Sequence, residues 1–175
     1  MDSPLTMLEI KTLGHFSMSF AGKEVASNWP NETVKLLFCS LLSPLDLSFT
    51  WDRISRSVWD IPLTLTSQHQ LEEVLVLSLK DFLIKELGFN PLISGVEGIK
   101  INQQHIHVDA HDFYHSALEG FRLSFRNENA AALMKLNQAK SLYTGSYLPG
   151  LPGKIIINTR LDLDLFRAAV VDRVG

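Results

Sequence analysis

Between Ser67 and Gly88 the chain carries one long helical pattern that no proline interrupts, and the closing glycine suits a C-terminal cap. Its apolar residues are Leu71, Val74, Leu75, Val76, Leu77, Leu79, Phe82, Leu83, Ile84 and Leu87, more than a single core-facing stripe requires. The surplus has two readings: a partner or dimer surface, or a flank buried by whatever the rest of the chain packs against it. The charged residues of the same stretch are Glu72, Glu73, Asp81 and Glu86 against Lys80 and Lys85, so the helix is net acidic. A protein gains much of its affinity for a duplex by neutralising phosphates, and an acidic helix repels them.

With 175 residues, 46% of them hydrophobic, the chain has material for one ordinary domain or two small ones around a real core. Its net charge of -3 shows none of the basic excess of a dedicated nucleic-acid binder, although a local patch can survive that average. Cys39 is the single cysteine, which excludes an internal disulfide, and the N-terminus lacks a basic region leading into an apolar run. The expected location is the cytoplasm. Ser40, Ser43 and Pro44 break the stretch from Leu36 to Leu45, and it falls well short of the roughly 20 residues needed to cross a bilayer. No membrane partner is expected.

Ahead of the long helix, alternation over Leu8 to Thr12 and His15 to Phe20 around Gly14 predicts two short strands, with Glu24 and Val25 as a brief third. Asn31 is placed to cap a helix through Leu42, and Thr50 to cap a second from Trp51 to Val58. Beyond Gly88, the extended pieces Leu92 to Ile93, Gly98 to Ile101 and His105 to Val108 read as a terminal hairpin. From Asp109 the period becomes helical. Phe113, Ala117 and Phe121 mark one helix, Ala130, Leu133, Met134 and Leu142 another, and Asn158 is placed to cap a last one from Arg160. The stretch from Tyr143 to Gly153 reads as a Gly- and Pro-rich connector.

His105, His107, His111 and His115, with Asp109 and Asp112, form the densest cluster of metal-ligating residue types. Against a metal site stands the reading of surface histidines beside an aspartate that caps a helix, and that reading is preferred. Cys39 lies among leucines, which suits a buried, inert thiol. The chain has no phosphate loop, nucleophile elbow or spaced carboxylate pair, so neither catalytic residues nor a cofactor are expected, and the protein reads as a non-enzyme.

Several segments taken in order resemble regulators of the Streptomyces antibiotic regulatory protein type. Leu8 to Phe16 is similar to that family's opening strand and turn, Val34 to Leu42 to its leucine-rich first helix, and Arg53 to Asp60 to its second, which typically ends in Trp. Gly98 to Ile101 resembles its wing, Val108 to Phe113 the Val-Asp and Phe signature that follows, and Gly145 to Gly150 a turn of its bacterial transcriptional activation domain. The resemblance implies an α+β fold. A winged helix-turn-helix domain over residues 7–108, with N-terminal antiparallel strands and a C-terminal hairpin wing, would precede tetratricopeptide-like helical hairpins over 109–175. Such hairpins bury their apolar faces by stacking on further hairpins, so the chain is expected to be a piece of a longer protein.

Function follows from the same resemblance as an expectation: a bacterial transcriptional regulator, with promoter DNA and a protein partner or homodimer as its partners. Phosphate contacts would fall to Lys35, Arg53, Arg56, Lys80, Lys85 and Lys100. The chain departs from the family where DNA is read. Basic positions in the second half of the third helix become Asp81, Leu83 or Ile84, and Ile99 replaces the aromatic of the wing. The alternative is therefore a winged helix that no longer binds DNA and docks onto protein through Val76, Leu83 and Ile84.

Overall fold

A computed structural model describes residues 6–45 and 49–175. Strands β1 (Leu8–Lys11), β2 (Ser17–Phe20) and β3 (Lys23–Val25) form the antiparallel meander expected from their alternation. Helix α1 (Glu32–Ser40) starts where the Asn31 side chain accepts a bond from the Val34 N–H, and α2 (Trp51–Trp59) where Thr50 does the same for Arg53.

The long helix begins at Leu65, two residues ahead of Ser67. Thr64 Oγ1 accepts the Ser67 N–H to cap it, and Ser67 Oγ accepts the Thr64 N–H in return to close a capping box. It continues as α3 (Leu65–Gln70), a wide π-helical segment (Leu71–Val76) and α4 (Leu77–Leu87), ending at Gly88 in the left-handed conformation.

Strands β4 (Leu92–Ser94) and β5 (Ile99–Ile101) pair antiparallel as the wing. The third extended piece does not join them. After a tight turn at Gln103–His105, strand β6 (Ile106–Val108) crosses to the first sheet and pairs parallel with β1, giving the order β3-β2-β1-β6. Burial accounts for the transfer, because Ile106 and Val108 pair in register with Leu8 and Ile10 and all four are buried.

Helices α5 (Asp109–Phe125) and α6 (Asn129–Leu142) form the expected helical hairpin, but α6 buries Ala132, Leu136 and Ala139 rather than Ala130, Leu133 and Met134. Small residues set this seam. A Cβ on Gly120 would lie 2.6 Å from the Leu136 side chain, so the missing side chain of Gly120 makes room for Leu136 in the seam. Helix α7 (Lys154–Val174) starts directly after Gly153, six residues before Arg160, which leaves Asn158 exposed inside it. Its early start is explained by tertiary contacts: Ile155 and Ile156 are buried, the Ile155 N–H donates to Ser57 Oγ at 3.2 Å, and Thr159 shares a 2.6 Å hydroxyl contact with Ser43.

The Gly- and Pro-rich segment between α6 and α7 does more than connect them. Leu148 N–H donates to the Thr12 carbonyl, Gly14 N–H to the Ser146 carbonyl and Thr144 Oγ1 to the Leu13 carbonyl, so the segment closes the end of the first sheet. Arg160 holds it from the other side through the carbonyls of Tyr147, Leu148 and Leu151. One hydrophobic cluster consequently runs from Leu8 through the winged region into α5, α6 and α7.

Candidate functional site

The wing is fastened to the start of α2. Trp51 donates its backbone N–H to the Glu97 carbonyl at 3.1 Å and its indole Nε1 to the Gly95 carbonyl at 3.2 Å, while the Ile99 N–H reaches the Phe49 carbonyl. A cleft of about 460 Å³ between wing and long helix is lined by Gln68, Glu72, Val76 and Val96, among others. The wing tip exposes Val96 and Glu97 and carries no cation.

The core-facing stripe of the long helix is Leu71, Leu75, Leu79, Leu83 and Leu87, with Val76 and Phe82 beside it. This corrects two of the three partner-surface residues: Val76 is 8% exposed and Leu83 is fully buried, leaving only Ile84, at 40%, on the surface. Beyond Leu65 at the start of the helix, the exposed apolar residues are instead Val74 at 59% and Leu77 at 46%, together with Ile84. A spacing of four from Leu71 through Leu87 was the signal that separates the two faces, because residues on the core stripe cannot also face outward. Glu73 and Asp81 flank Leu77 on the same surface.

Beside this face the β3 to α1 loop forms a groove of about 660 Å³, with Val74, Leu77 and Phe82 as its apolar part and Glu73, Asp81, Glu86 and Lys85 as its charged part. Glu86 is anchored there by accepting the Ala26 N–H at 2.9 Å. The π-helical segment contributes Glu73 and Val74, and such wide turns recur at functional positions in helices.

The six cations proposed for phosphate contact do not form one patch. Lys35 lies over the Phe16 ring, 5.6 Å from its centre, and Arg56 is held by Asp52 at 2.9 Å on its own helix. Asp52 also accepts the Leu63 N–H, the larger of the two bonds that hold its carboxyl below the usual range. Arg53 is half-buried on α2. Lys80, Lys85 and Lys100 are exposed and make no ion pair with a described residue. Lys80 and Lys85, five positions apart, point about 140° from one another around the helix and straddle the apolar strip.

This order of strands, three-segment helix bundle, wing and helical hairpin has a known counterpart. The fold is similar to that of EmbR. The comparison is with Mycobacterium tuberculosis EmbR solved in complex with a low-affinity phosphopeptide, at a TM-score of 0.62 and 16% identity, covering 97% of this chain. The chain spans 43% of the EmbR chain. No family model matches the sequence, and no curated protein matches it either. The likeness to EmbR is one of fold.

Outside the helix face, the histidines serve packing and charge pairing. His107 stands between Glu9 and Asp112, 2.5 Å from each carboxylate, and the Glu9 bond is the main reason its pKa is raised. His111 donates from Nε2 to the Leu42 carbonyl at 2.9 Å, and burial lowers its pKa. Among the described residues no group of three or more His, Cys, Asp or Glu side chains is placed to hold a metal. Cys39 is fully buried, and desolvation pushes its thiol up to about 12. Among the described residues no helix is long and apolar enough to cross a membrane.

A raised histidine pKa makes the folded state bind the proton more tightly. The His107 contribution to stability is thus fully present below the unfolded value of about 6.5 and is lost as pH rises through the folded pKa. An NMR titration of the His107 ring in wild type and Glu9→Gln is expected to show a lower pKa in the variant. An unchanged titration would contradict the role given to Glu9.

Proposed function

We propose that the protein is a winged-helix module of a transcriptional-regulator type, acting in the cytoplasm, whose long helix docks onto another protein instead of reading promoter DNA. It binds and does not catalyse. One observation carries this reading: the exposed face of the helix presents Val74, Leu77 and Ile84 alongside the carboxylates Glu73 and Asp81. Apolar residues gathered on an exposed face favour a protein surface, and the carboxylates oppose phosphates.

The regulator type is supported by the fold shared with EmbR, a regulator of the Streptomyces antibiotic regulatory protein type, and by the order of motifs along the sequence. The division into a winged helix over 7–108 and a helical region over 109–175 belongs to the same reading. EmbR was solved in complex with a low-affinity phosphopeptide, a ligand of that longer protein, of whose chain this one spans 43%.

Direct DNA contact is the second reading, favoured by the exposure of Lys80, Lys85 and Lys100. Fluorescence anisotropy with random-sequence duplex, at low and moderate salt, separates the two. Protein docking predicts no appreciable binding and no difference in a Lys80→Glu, Lys85→Glu variant. Salt-sensitive binding that the double change weakens would place the helix on DNA.

A further inference from the structure

We propose that the groove beside the long helix takes a cationic amphipathic helix from a partner protein, an inference that rests on the protein-docking reading and names the chemistry of the partner. About half of the groove's lining is apolar, from Pro30, Val74, Leu77 and Phe82, with Val74 and Leu77 open to solvent. Its rim carries three carboxylates, Glu73, Asp81 and Glu86, against one cation, Lys85. Glu86 is tied to the Ala26 N–H, whereas Glu73 and Asp81 are exposed and make no ion pair with any described residue. A partly apolar lining beside unneutralised carboxylates fits a ligand with an apolar stripe and cations beside it, and it opposes a phosphorylated or acidic one.

Spacing narrows the partner further. Glu73, Leu77 and Asp81 follow one another at four-residue intervals, so they share a face, and in a regular α-helix the two carboxylates would stand about 12 Å apart along the axis. Because Glu73 lies in the wider π-helical turn, the separation is somewhat under that, and a partner helix lying along the groove meets both with basic residues about seven positions apart and Leu77 with an apolar residue midway between them.

The probe is a fluorescein-labelled helical peptide of about 16 residues built from Leu, Ala and Lys, with lysines about seven positions apart beside a leucine stripe. Its counterpart has glutamate in place of every lysine. Anisotropy titrations use the full chain, its Glu73→Lys, Asp81→Lys variant and its Leu77→Asp variant. These positions are exposed, and circular dichroism checks that the variants keep the fold.

The lysine peptide is expected to bind, the glutamate peptide not to bind, and the charge reversal to weaken binding about tenfold or more. Leu77→Asp is expected to abolish it. Four results would overturn the inference: no binding of the lysine peptide, equal binding of both peptides, indifference to the charge reversal, or self-association of the wild type that Leu77→Asp removes. The last would make a second copy the occupant. Binding of the glutamate peptide alone at Leu77 would reject the cationic partner and leave protein docking standing. Salt-sensitive duplex binding lost in Lys80→Glu, Lys85→Glu would reject docking itself.

Discussion

Gly98→Ala is expected to destabilise the protein by about 3 kcal/mol or more, at the upper end of overpacking effects. A Cβ at this position would lie 2.0 Å from the Phe49 carbonyl oxygen, 2.8 Å from its carbon and 2.9 Å from the Thr50 Cα. All three atoms are backbone, so no side chain can swing aside. Separating the two segments would break the bridge between Thr50 and Gly98 and stretch the bond from the Ile99 N–H to the Phe49 carbonyl. It would also pull the wing from Trp51, whose bonds to Gly95 and Glu97 depend on the same approach. Gly95→Ala provides the control, since nothing lies within 4 Å of a Cβ there. Urea unfolding of the two variants is expected to place Gly95→Ala within about 0.5 kcal/mol of wild type. Equal stability of the two would mean that the wing does not sit against α2 as described.

The second large effect is expected from Asp109→Ala. One Asp109 oxygen accepts both the Thr12 N–H at 2.8 Å and the Thr12 hydroxyl at 2.6 Å, and the other accepts the Leu13 N–H at 3.1 Å. Thr12 and Leu13 are fully buried, so removing the carboxylate leaves two N–H groups and a hydroxyl without their acceptor at a part-buried site. At about 1 to 3 kcal/mol for each buried group left unpaired, with partial relaxation, the loss should be about 3 kcal/mol. Asp109→Asn does not restore the site, because its amide group turns a donor toward a donor. A double-mutant cycle with Thr12→Val isolates the hydroxyl bond, and the two changes should be less than additive. Asp109→Ala unfolding within about 0.5 kcal/mol of wild type would contradict the tie between β1 and α5.

Local signals predicted local structure well here. Asn31 and Thr50 start their helices and Gly88 ends its own by mechanisms written in single residues, and alternation predicted β1 and β2, with the buried faces of Leu8, Ile10 and Met18. What failed depended on distant partners. Ile106 to Val108 reads equally as a third arm of the hairpin, and only the burial offered by Leu8 and Ile10 sends it to the other sheet. The seam of α6 was read one face off: Ala130, Leu133 and Met134 are exposed, and Ala132, Leu136 and Ala139 are buried, with Leu136 seated against Gly120 on the neighbouring helix.

The candidate site divides in the same way. Its acidity, its surplus of apolar residues and the exposure of Ile84 followed from composition and period alone. The exposed pair Val74 and Leu77 was missed and Val76 and Leu83 were misassigned, although the four-residue spacing of Leu71, Leu75, Leu79, Leu83 and Leu87 marks the stripe that the core selects. The groove needed the β3 to α1 loop, which is adjacent to the helix only in three dimensions.

The most direct test of protein docking follows the methyl resonances of Val74, Leu77 and Ile84 in the folded chain while random-sequence duplex DNA, and separately the lysine peptide, is added at low salt. The account predicts that the peptide shifts these methyls progressively and that DNA leaves them in place. Shifts driven by DNA and reversed by added salt, with none driven by the peptide, would contradict it and return the long helix to the reading of DNA.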